Sequence, residues 1–130
     1  MKKFFIILFM FISLMANAQS DSNNKVLFSP DSEVTYRLFK TQNMHIFIKL
    51  NTCNGTMKLV QFSTSDTRGM MQADLSDTEL ATGTDAKKGR FFLYSTDNFY
   101  TFLLLDQIDG RVWQVQWSTD PEKRGIWRIY

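Results

Sequence analysis

The chain is poor in the residues that most often carry chemistry or cross-links. Its 130 residues include one cysteine, Cys53, and one histidine, His45. A nitrogen- or sulfur-based zinc centre draws on about four such side chains, so no metal is expected. A Ser-His-Asp or Cys-His arrangement would have His45 as its sole base, and no G-x-S-x-G elbow accompanies it. No catalytic residue and no cofactor is therefore assigned. A single thiol forms no internal disulfide, and Cys53 reads as a small packed group at a turn, with pairing between chains as the alternative.

An excess of charge of one sign is also missing. The formal net charge of +2 comes wholly from Lys2 and Lys3, and the chain after residue 18 carries 13 basic and 13 acidic residues. No basic field gathers nucleic acid or anionic lipid. The small cluster Lys87-Lys88-Gly89-Arg90 reads as a solvated loop. So do Asp74, Asp77, Glu79 and Asp85, although a carboxylate pair among them would be the basis of acid-base catalysis if the protein were an enzyme.

Long apolar runs are confined to the start. Met1-Lys2-Lys3 is basic, Phe4 to Met15 is apolar apart from Ser13, and Ala16-Asn17-Ala18 is an A-x-A site. This is the pattern of a cleavable signal peptide over 1–18, and the run is too short for a membrane span of about 20 residues. The expected product is exported, periplasmic or extracellular. It has 112 residues, the size of one domain.

What is present is an internal repeat. At an offset of 55, Leu38 to Thr64 aligns with Leu93 to Thr119 without a gap, with 10 identities in 27 positions. A one-residue shift then matches Arg68-Gly69 with Arg124-Gly125. A fixed period of this kind marks repeated supersecondary units. Each copy alternates short apolar or aromatic runs with Thr-x-Asn and Asn-Gly or Asp-Gly turns, so the fold is expected to be all-β. The expected form is a compact antiparallel sandwich or partly open barrel with pseudo-twofold symmetry. Repeat one spans 34–75, a polar linker 76–89 and repeat two 90–130, after a flexible N-terminal segment 19–33. Two copies are too few for a propeller.

Reading Asn54-Gly55 and Asp109-Gly110 as centres of two-residue type I′ hairpins opposes Leu104 to Val115 and Phe102 to Trp117. Alternation then places Tyr100, Phe102, Leu104, Trp113, Val115 and Trp117 on one face, the expected core of copy two. The matching face of copy one holds Phe47, Lys49, Lys58, Val60 and Phe62. Lys58 in the place of Trp113 suggests a core rim, which makes Trp113 a candidate platform for a sugar or peptide. The opposite face mixes aliphatics with uncharged amides: Leu103, Leu105, Gln114 and Gln116 in copy two, with Ile48, Leu50 and Gln61 in copy one. Such a face differs from the polar alternation of a solvated sheet and is expected to be covered, by a partner or by residues 19–33 or 76–89.

The elements L-x-x-T-x-N, L-L-L-D-x-x-x-G-R-V-W-Q-V-Q-W at Leu103 to Trp117, and the M-K-K start with A-N-A before Gln resemble small exported proteins of Gram-negative bacteria that repeat a strand-turn-strand unit. The resemblance implies a β-repeat fold and brings no catalytic residues. The expected function is that of a non-enzymatic binding or interaction module with a protein or carbohydrate partner, or a second copy of itself. Alternatives are a small periplasmic inhibitor or immunity protein, and an enzyme using carboxylates.

Overall fold

The computed structural model describes residues 33–130; the expected signal peptide and most of the N-terminal segment lie outside them. The described chain is all-β. Eight strands run β1 (Tyr36–Lys40), β2 (Ile46–Asn51), β3 (Met57–Gln61), β4 (Met71–Ser76), β5 (Phe91–Ser95), β6 (Thr101–Asp106), β7 (Val112–Gln116) and β8 (Gly125–Ile129). They form two antiparallel four-stranded sheets, ordered β1-β2-β3-β4 and β5-β6-β7-β8, packed as a sandwich around one apolar core.

The repeated residues make the same turns twice. The Thr41 hydroxyl donates to the Ile46 carbonyl at 2.7 Å and accepts from the Asn43 N–H, and the Asn43 side-chain oxygen accepts from the His45 N–H. Thr96 and Asn98 repeat this with Thr101 and Tyr100. Thr-x-Asn is thus a self-contained hairpin turn in which short polar side chains bond their own backbone.

The second hairpin is longer than the two-residue turn expected. Asn51 N–H donates to the Thr56 carbonyl and Gly55 N–H to the Asn51 carbonyl, and Asp106, Arg111 and Gly110 do the same in copy two. Each loop therefore has four residues. The side-chain oxygen of Asn51 or Asp106 collects two further N–H groups, and only the final glycine has positive φ, 81° at Gly55 and 74° at Gly110. A type I′ turn would need positive φ at Asn54 and Asp109 as well. The register accordingly moves by two: Leu104 opposes Trp113 and Phe102 opposes Val115. A two-residue shift preserves sidedness, so the grouping of side chains into faces stands.

Which face is buried differs between the copies. Sheet one turns Ile46, Ile48, Leu50, Met57 and Leu59 inward, and sheet two Phe91, Phe102, Leu104, Trp113, Val115 and Trp117. Shifted by 55 residues these are opposite faces of the same unit. The sheets are therefore stacked face to back, and the expected pseudo-twofold axis is absent, since such an axis would bury equivalent residues against each other. The physical cause is charge: Lys49 and Lys58 occupy the face of sheet one that Leu104 and Trp113 occupy in sheet two, and a lysine is almost never fully buried. Ile48 and Leu50, read as part of a contact surface, are instead wholly buried in the core.

The segment between repeats is ordered. β4 runs to Ser76, with a register shift between Met57 and Lys58 that admits Leu75 to the core. Leu80 donates its N–H to the Asn54 carbonyl and packs on the core, and Ala81 is buried. Arg90, expected in a solvated loop, is buried too. Its guanidinium donates to both oxygens of the fully buried Asp106, to Asp109 and to the Asp85 carbonyl, while Arg111 donates to Asp106 and to the Leu80 carbonyl. This network fastens the linker to the β6–β7 turn. Burial opposes the Asp106 charge, but the hydrogen bonds from Arg90, the turn N–H groups and Arg111 outweigh it and hold the carboxyl well below the usual carboxylate range. The same bond to Asp106 raises Arg90.

Candidate interaction faces

Face-to-back stacking leaves two outer faces. That of sheet two is the more apolar. Leu103 and Leu105 are half-buried there, opposite Gln114 and Val112. Trp127 of β8 pairs with Gln114, and Ile129 pairs with Val112; these two are 52% and 46% exposed. Tyr94, opposite Leu103 on β5, is 46% exposed. No strand residue on this face carries a charge. An apolar sheet surface this continuous is uncommon on a soluble monomer, and in sequence it was visible in Leu103 and Leu105 but not in Trp127 and Ile129, whose strand register depends on the β7–β8 turn.

The other candidates divide by role. Gln116 donates from Nε2 to the Lys123 carbonyl, and Gln61 to the Gly69 carbonyl, both at 2.9 Å. They are equivalent residues clamping equivalent turns, each turn being a short 3₁₀ segment, Thr67–Gly69 or Pro121–Lys123, capped by Asp66 or Asp120. Gln61 thus belongs to its own turn, and with Ile48 and Leu50 internal, copy one adds nothing to the apolar face of copy two. Gln114 alone of the three glutamines is exposed without such a clamp. Trp113 is 6% exposed and sits 5.0 Å from the guanidinium carbons of both Arg111 and Arg128. Its face is taken by those cations, so it is a core residue and not an open platform.

The outer face of sheet one is mixed. Leu38 and Phe62 are exposed and Phe47 and Val60 half-buried, while Lys58 pairs with Asp74 at 3.1 Å and Lys49 donates to Gln72 at 2.6 Å. A cleft of about 480 Å³ opens at this polar end, lined by Tyr36, Lys49, Lys58, Asp74, Asp77 and Glu79 among others. Of the four linker carboxylates, Asp74, Asp77 and Glu79 share this cleft, Asp74 tied to Lys58 and Glu79 in contact with Asn54, while Asp85 lines a separate cleft beside Arg90. His45 packs its ring against Phe62 at 5.1 Å. Among the described residues no group of three or more His, Cys, Asp or Glu side chains is placed to hold a metal ion, and no helix is long and apolar enough to cross a membrane.

No family model, curated protein or solved structure matches the chain.

Proposed function

We propose that this chain is an exported interaction module without catalytic chemistry of its own, and that it engages a macromolecular partner through the outer face of sheet two. One observation carries the reading: that face presents Tyr94, Leu103, Leu105, Trp127 and Ile129 together, with exposed or half-buried side chains and no charged residue on its own strands. Uncharged amides among large apolar groups suit a contact that must lose water without stranding an ion. Large aromatics that desolvate on contact supply much of the energy of such interfaces. The test is a photo-crosslinking amino acid at Gln114 in the exported protein in its native cell, with the same group at Thr119, an exposed turn residue, as control. Adducts specific to position 114 are expected. Equal labelling at both positions, or none at 114, overturns the reading.

A further inference from the structure

We infer that the partner of this face is a second copy of the chain, stacked head to tail so that the outer face of sheet two of one molecule meets the outer face of sheet one of the next. The inference rests on the reading that the outer face of sheet two is a contact surface, and names its occupant.

The repeat itself supplies the reasoning. Leu38 and Leu93 are the same residue at the same repeat position, yet Leu38 is 54% exposed and Leu93 is 1% exposed. Phe47 and Phe102, and Val60 and Val115, divide in the same way, outside in sheet one and buried in sheet two. In reverse, Leu50 is buried and its counterpart Leu105 is on the outside. The outer face of sheet one therefore resembles the inner face of sheet two, and the outer face of sheet two resembles the inner face of sheet one. Those inner faces already pack together within the chain. Bringing the two outer faces together would recreate that packing between molecules.

The departures from the pattern are tolerable. Lys49 and Lys58 replace apolar residues: Lys58 already has a charged partner in Asp74, so covering it does not isolate a charge, and Lys49 brings the neutral Gln72 as acceptor and the Tyr36 ring 5.8 Å away. Their stems are apolar, and Tyr94 and Trp127 across the junction offer ring faces to ammonium groups. A contact between two different faces is heterologous, so it either closes into a ring or continues as an open stack. Meander sheets close into rings of about four to eight, which roughly two to four copies would provide.

The test combines mass with paired end-blocking variants. The purified exported protein should show a mass above the monomer by sedimentation, rising with concentration for an open stack or reaching a fixed multiple for a ring. Leu103→Lys blocks one end, with Trp127→Lys as a second variant if the first folds poorly, and Leu38→Lys blocks the other. Each alone should be monomeric, while an equimolar mixture should form a heterodimer and nothing larger. If Leu38→Lys alone still dimerises, the contact joins like faces and the head-to-tail inference is wrong. A wild-type monomer at all concentrations also overturns it, and the melting temperature of Leu103→Lys then separates the remaining cases. An unchanged value leaves the face open for a different partner, so the functional reading survives; a sharp fall means the chain's own residues cover the face, and both fail.

Discussion

Phe47 and Phe102 hold the same position in the two repeats and face opposite ways. Phe102 is buried between the sheets, and Phe47 lies half-buried on the outside of the molecule. This single relation distinguishes face-to-back stacking from a twofold arrangement, and it is measurable. Phe102→Ala should destabilise by about 3–5 kcal/mol, as large-to-small changes in a close-packed core do, whereas Phe47→Ala should cost about 1 kcal/mol or less in the monomer. Denaturant unfolding of both variants checks this; equal losses would indicate that both rings share the core.

The two turn glycines should also differ. Both have positive φ, so an alanine at either is expected to cost about 1–2 kcal/mol. A Cβ on Gly110 would meet open space, but one on Gly55 would lie 2.8 Å from Leu80 Cδ1 and 3.3 Å from its Cβ. Gly55→Ala should therefore be the more damaging in thermal unfolding, because it also dislodges the linker that Leu80 anchors.

Acid should weaken the fold through Asp106. Its folded carboxyl titrates below the ordinary aspartate value of 3.8, so in acid the unfolded chain binds the proton first and the folded state is disfavoured. The stability it contributes is complete well above pH 3.8 and is lost as pH falls through that value toward the folded one. Asp106→Asn should lower the melting temperature markedly at neutral pH, because Arg90 keeps a buried charge without its main partner. The gap between variant and wild type should narrow progressively below pH 4.

Gln61 and Gln116 are expected to behave as turn clamps. Replacing either by methionine removes one hydrogen bond to a backbone carbonyl and should cost about 0.5–1.5 kcal/mol, by similar amounts in the two copies. Gln114→Met should have little effect on stability. A large loss at 114 and none at 116 would reverse these assignments.

Much of this architecture was legible in the sequence because its determinants are local. Thr-x-Asn and Asx-x-x-x-Gly each complete their turn within a few residues, so the repeat and the sidedness of β2, β3, β6 and β7 follow from short patterns. Asn-Gly and Asp-Gly suggest a two-residue hairpin, and only the N–H groups gathered by Asn51 and Asp106 reveal the four-residue form. Symmetry between the copies predicts the same buried face in both, whereas Lys49 and Lys58 mark the outside of sheet one. Arg90 and Asp106 could not be paired from sequence, as 16 positions and a change of element separate them. Trp127 and Ile129 were missed as surface residues because their placement depends on β8 pairing with β7.

Every described strand pairs only with its neighbours in sequence, and this has a consequence for how the protein is made. Pairings of low sequence separation form early and fast, so the first sheet can be complete once residue 76 is free of the machinery that delivers it. Its aliphatic inner surface, built on Ile48, Leu50 and Leu59, then has no cover until Phe102, Leu104 and Val115 arrive from the second. During that interval a half-made chain exposes the kind of surface that draws nascent chains into aggregates. Slowing emergence between residues 76 and 116 should therefore lower the yield of folded protein more than slowing it anywhere earlier.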